Sequence, residues 1–193
     1  MMILGICGSP RDQTTNYVLN IALSKLKNNS FKTIDFEVRG KDIHPCQHCD
    51  YCLKNKKCII EDDMQELYPL IEEAEGFIIA TPIHCGGISS QIKMIMERCR
   101  ALEAKDLKIL SGKTGMSIAV GGDRVGGQEL AIQEINTFYI IHNINIVGGG
   151  SFGANLGASF WSKDSLEEIK KDKYGFETLN RTINNFMNSL KKS

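Results

Sequence analysis

The chain has 193 residues, 42% of them hydrophobic and 24% charged, with 23 Lys and Arg balancing 23 Asp and Glu. That length fits one domain with room for an appendage, and the apolar share supports a core, which excludes wholesale disorder. Zero net charge gives no support to a nucleic-acid footprint; no apolar run reaches the ~18–20 residues of a membrane span, and the strand-like start lacks the basic stretch of a secretory leader, so a cytoplasmic location is expected.

Met2–Cys7 is an unbroken apolar run ending at Gly8. Such runs suit interior strands covered on both faces. After Thr14-Thr15-Asn16, Val18, Ile21, Ala22 and Leu26 follow helical spacing. Thr33–Val38 alternates Ile34, Phe36 and Val38 with Thr33, Asp35 and Glu37, the period of a half-exposed edge strand. A short helix around Asp62–Glu75 contains Pro69, which is expected to break or restart it. Phe77–Ala80 and Met116–Val120 are further interior strands, and Ile144–Val147 is a fifth strand at the other edge. Between and after them, apolar stripes run through Ile92–Leu102, Leu130–Ile141 and Phe176–Leu190.

The alternation of strands and helices predicts an α/β doubly wound parallel sheet of five strands in the flavodoxin-like order 2-1-3-4-5. Residues 1–193 form a single domain, with residues 43–60 inserted after the second strand as a cysteine-rich loop. In such sheets ligands sit outside the carboxyl ends of the strands. Three loops are thereby selected: those after Cys7, after Ala80 and after Val120.

The first loop, Gly8-Ser9-Pro10-Arg11-Asp12-Gln13-Thr14-Thr15-Asn16, leads from a strand into a helix. Free N–H groups and partial positive charge at a helix start attract anions. Ser9, Thr14, Thr15 and Asn16 add donors and Arg11 adds a charge. The plainer alternative is that Thr14 or Thr15 caps the helix. The pattern of a triphosphate-binding P-loop is absent, so one monoester phosphate is the better fit.

Seven cysteines are present, and Cys46, Cys49, Cys52 and Cys58 lie within 13 positions. Three thiols at i, i+3 and i+6 can converge on one centre, and the fourth closes the cage. Iron–sulfur clusters are held by four thiolates at comparable spacings. Zinc also takes four thiolates, but generally as two separated knuckles. The spacing favours a [4Fe–4S] cluster, with zinc or disulfide chemistry as alternatives; His44 and His48 flank the triplet and are read as solvated.

Together, Gly8-Ser9-Pro10-Arg11, Thr81-Pro82-Ile83 and the cysteine quartet resemble the archaeal-type iron–sulfur flavoproteins, within the NAD(P)H-dependent FMN reductase group. The resemblance runs from Met2 to about Val147. It implies one FMN and one [4Fe–4S] cluster per subunit, in a homodimer or homotetramer. It implies that Ser9, Arg11, Thr14, Thr15 and Asn16 hold the FMN phosphate, and that Pro82, Ile83, His84, Cys85, Gly86 and Gly87 pack along the isoalloxazine. Gly121, Gly122, Asp123 and Arg124 would form a third wall, and Cys46, Cys49, Cys52 and Cys58 would ligate the cluster. Two positions depart from the family pattern: His84 stands where an aromatic is frequent, and Asp12-Gln13 where a basic residue or glycine is common.

The activity expected is that of an oxidoreductase relaying electrons between a one-electron donor such as ferredoxin and FMN. The alternatives are an NAD(P)H-dependent flavin or quinone reductase with a structural cysteine quartet, and a zinc-bearing interaction module. Gly148-Gly149-Gly150-Ser151-Phe152-Gly153 matches the dinucleotide fingerprint but is read as a loop after the last strand. Cys7 and Cys99 are read as core residues; Cys85, in the expected flavin loop, is read as a packing residue, with a redox-active thiol as the alternative.

Overall fold

The computed structural model describes residues 1–153 and 155–192. In chain order the elements are β1 (Met2–Cys7), α1 (Thr14–Asn28), β2 (Lys32–Glu37), α2 (Tyr51–Asn55), α3 (Met64–Glu73), β3 (Gly76–Pro82) and α4 (Ser90–Arg98). There follow α5 (Arg100–Lys105), β4 (Thr114–Gly121), α6 (Gln128–Ile141), β5 (Asn145–Ile146), β6 (Ala158–Trp161), α7 (Leu166–Ile169) and α8 (Lys173–Leu190). All strand pairs are parallel, in the order β2-β1-β3-β4-β5, with β6 also paired to β4.

The continuous apolar runs form the centre of the sheet, and every residue of β1 and β4 is buried. Successive side chains of a strand point to opposite faces. Met2, Leu4 and Ile6 therefore join α3, α4, α5 and α6 on one face, while Ile3 and Cys7 join α1 and α8 on the other. Each fully buried Ile or Leu contributes about 1.5–3 kcal/mol. β2, with its alternating pattern, lies at an edge, as expected.

Two expectations need correction. Ile144–Val147 is not the last strand. β5 spans two residues and pairs with Thr114 and Gly115 at the start of β4. β6, after the glycine-rich segment, pairs with Ile118–Gly121 at its far end. The fifth position of the sheet is thus filled by two short strands.

Nor does Pro69 break its helix: α3 runs through it. Proline removes the N–H that would reach the Gln65 carbonyl, but Met64, Leu67, Tyr68 and Ile71 bury one face. The Lys113 ammonium closes the other end by donating to the carbonyls of Ile71, Glu72 and Ala74. Among the described residues no helix is long and apolar enough to cross a membrane.

Candidate functional site

At the end of β1, the Gly8 N–H donates to the Ala80 carbonyl at 2.8 Å. A Cβ at Gly8 would lie 2.2 Å from Ile92, so glycine is what lets α4 pack this close. Ser89, which sequence reasoning did not single out, stitches two loops together. Its Oγ donates to the Gly8 carbonyl at 2.8 Å, and its N–H donates to Thr81 Oγ1 at 3.0 Å. Ser9 Oγ accepts from the Arg11 N–H at 3.1 Å and donates to the Arg11 carbonyl at 2.8 Å, which tightens the turn.

α1 then opens with Thr14, Thr15 and Asn16 in its first turn, and no side chain caps it. The capping alternative is therefore not the one the structure uses. Those first-turn N–H groups carry the positive end of the helix and are available to an anion. Ser9, Arg11, Thr14, Thr15, Pro82, Ile83, His84 and Gly122 line one cavity of about 240 Å³. Sequence reasoning missed Gln13, Val120, Ser162 and Asp164, which complete its wall. Arg11 stands 3.4 Å from Asp164.

The other expected residues stand around this cavity rather than in its wall. The Asn16 amide donates to Asp12 at 2.8 Å and Glu37 at 3.0 Å, tying the helix start to β2. Cys85 and Gly86 form a tight turn with φ of 49° and 84°, closed by reciprocal hydrogen bonds between His84 and Gly87 at 3.1 Å. Positive φ at both central residues is the pattern of a type I′ turn, which suits Gly86 and leaves Cys85 exposed at the tip. Gly127, before α6, packs so closely that a Cβ there would lie 2.2 Å from the Gly86 carbonyl oxygen. The second and third loops therefore interlock.

Gln128 lies beneath Gly121 and donates to the Asp123 carbonyl at 2.5 Å. The Arg124 guanidinium sits 4.8 Å from the centre of the Trp161 ring and 3.6 Å from Asp172. It lines a second, wider groove of about 690 Å³ with Trp161 and Tyr174.

Cys46, Cys49, Cys52 and Cys58 all line one small cavity of about 20 Å³. Among the described residues, no three His, Cys, Asp or Glu groups converge tightly enough for a single metal ion. His48, at φ 52°, turns the chain so that its N–H donates to Cys46 Sγ at 3.4 Å. α2 presents Cys52, which is buried, while Cys49 is exposed.

Two arginines line the same cavity. Arg100 donates to Asp50 at 2.5 Å. Arg98, 1% exposed, makes a two-pronged pair with Asp62 at 2.6 and 3.0 Å. Burial alone would raise the Asp62 carboxyl, but hydrogen bonds from Arg98 and from the His44 and Met64 N–H groups hold it below the usual carboxylate value. His44 is exposed, 3.2 Å from Asp42. Cys7 and Cys99 are core residues, and burial pushes their thiols up to about 11 and about 12. Neutral thiols of that kind are inert.

A parallel sheet of this order, with an uncapped helix start at the carboxyl ends of its strands, defines the flavodoxin-like class. Residues 1–158 match the NADPH-dependent FMN reductase family. The chain is 57% identical to an iron–sulfur flavoprotein of Archaeoglobus fulgidus over 99% of its own length and 98% of that protein. It is 49% identical to an iron–sulfur flavoprotein of Methanocaldococcus jannaschii, over 100% and 98%. The structure of RosB bound to 8-demethyl-8-formylriboflavin-5′-phosphate shares the fold, with TM-score 0.80 at 17% identity over 100% of this chain and 79% of that one. The chain belongs to the iron–sulfur flavoproteins, a branch of the NADPH-dependent FMN reductase family, and is an oxidoreductase of the electron-transfer kind.

Proposed function

We propose that this protein binds FMN at the first loop and a [4Fe–4S] cluster at its four clustered thiols, and relays electrons between a ferredoxin-like donor and FMN. The observation that carries this reading is that all four clustered thiols line one cavity, together with Arg98 and Arg100. A zinc ion needs every sulfur about 2.3 Å away, whereas a cluster puts its own atoms between the thiolates. Arg98 and Arg100 beside the cavity, and the His48 N–H on Cys46, suit a group of net negative charge.

The residues of the first loop fit FMN in the same way. The uncapped start of α1 and the Ser9 turn would receive the phosphate, with Arg11 supplying charge at the mouth. Pro82, Ile83 and His84 would wall the ring, and Gly127 packs closely against Gly86 of that same loop. FMN, when bound, exchanges one or two electrons and the cluster one, so together they join the two kinds of carrier. Within the described wall, the chain's part is to bind, orient and exclude water.

Anaerobically isolated protein should contain about four iron and four sulfide per FMN. Cys49→Ala should lose iron and sulfide yet keep FMN, because the two cavities are built from separate loops. FMN with zinc, or with no metal, would favour a reductase whose quartet is structural. A colourless zinc protein would favour the interaction module.

A further inference from the structure

One buried nitrogen of a residue that lines the cysteine cavity has no hydrogen-bond partner among the described residues. Arg98, at the end of α4, lines that cavity and is 1% exposed. Its guanidinium carries five N–H donors in a rigid planar fork. Nη1 donates to the His44 carbonyl at 2.9 Å and to Asp62 at 2.6 Å. Nη2 donates to Asp62 at 3.0 Å and to the Ile60 carbonyl at 3.4 Å. These four bonds fasten both shoulders of the cysteine segment, just before Cys46 and just after Cys58. The Nε–H alone is buried with no hydrogen bond among the described residues; the neighbouring Tyr68 hydroxyl donates instead to the Arg98 carbonyl at 3.2 Å. Native structures rarely leave such a donor unpaired, least of all on a charged group.

We propose that the Arg98 Nε–H is the donor for a sulfur of the group held by Cys46, Cys49, Cys52 and Cys58. Arg98 would then set that group's reduction potential as well as fasten the segment. This rests on the cluster reading above. Hydrogen bonds and charge at the sulfurs are among the levers a protein has on such a group. An N–H on a cation stabilises the more negative, reduced form, so its presence raises the potential and its loss lowers it.

The test uses protein grown on 15N-arginine and isolated without air, with the cluster reduced and examined by pulsed electron paramagnetic resonance. A weak 15N coupling is expected in the unaltered protein and in Arg100→Lys, and is expected to vanish in Arg98→Lys. Lysine keeps the charge and can still reach Asp62, but it has no Nε–H in a planar fork. The one-electron reduction equilibrium of Arg98→Lys should fall about tenfold, which is about 59 mV. An unaltered protein with full iron and sulfide but no 15N coupling overturns the proposal, whether or not the variant holds its cluster. So does a coupling or potential that Arg98→Lys leaves unchanged. Unaltered protein that lacks iron and sulfide overturns the cluster reading itself, and this inference with it.

Discussion

Arg11 and Arg98 carry the same charge and play opposite parts. Arg11 is exposed and its pair with Asp164 at 3.4 Å is a surface contact between two largely solvated side chains. Such pairs contribute about 0–1 kcal/mol, so a phosphate can displace Asp164 at little cost. Arg11→Ala should weaken FMN binding by about 1.5–3 kcal/mol, the scale of a hydrogen bond to a charged group. Riboflavin, which has no phosphate, should bind the variant as it binds the unaltered protein in a fluorescence titration. Equal losses for both ligands would place Arg11 away from the phosphate. Arg98, by contrast, is locked in the interior on Asp62. The four clustered cysteines were legible because their spacing is itself the signal. Arg98 was not, since it sits 40 positions beyond Cys58 and acts only once α4 packs beside the insert. Its trace in the sequence is slight: a charged residue next to the apolar stripe of Ile95, Met96, Cys99 and Leu102.

At the scale of elements, the three loops at the strand ends followed from the alternating pattern, and the structure places all three together. β6 did not, and the reason is local. Ala158–Trp161 is four residues long and follows a glycine-rich run that reads as pure loop. Its signal was a brief alternation, with Ala158 and Phe160 buried and Ser159 and Trp161 half-buried. Missing β6 also hid Ser162 and Asp164, because the strand is what delivers them to the cavity. Pro69 shows the opposite failure, in which a strong local rule gave way to packing. Pro69→Ala restores an N–H within reach of the Gln65 carbonyl. It should raise stability by about 1–2 kcal/mol, less than the full ~3 kcal/mol of a helix-interior proline because proline also restricts the unfolded chain. Chemical denaturation should show a higher midpoint at unchanged slope; a lower midpoint would mean that α3 is shaped to need the proline.

At the scale of the whole molecule, the cysteine segment follows the edge strand β2, while the cradle lies across the ends of β1, β3 and β4. We propose a homodimer, alone or doubled into a tetramer, in which the cluster of one subunit approaches the FMN of the other. A two-fold contact would offer each segment to its partner in both directions at once. Val125 and Leu130 beside the third loop, 94% and 61% exposed, are apolar groups that such a contact would cover. A mixed dimer of Cys49→Ala and Arg11→Ala subunits should still pass electrons from a ferredoxin-like donor. Silence in that dimer, with one cluster and one FMN retained, would rule the route out.

The split fifth position of the sheet bears on how copies can meet at all. A foreign strand zips onto a border only where free main-chain groups run on without a gap. Here that border is two stubs, of two and four residues, separated by the intervening chain. The opposite border displays Lys32 and Asp35. The first margin is therefore too broken to template stacking into fibres, and on the unbroken β2 margin the exposed charges of Lys32 and Asp35 oppose it. The proposed contact between copies would then be made by side chains rather than by a sheet continued from one subunit into the next.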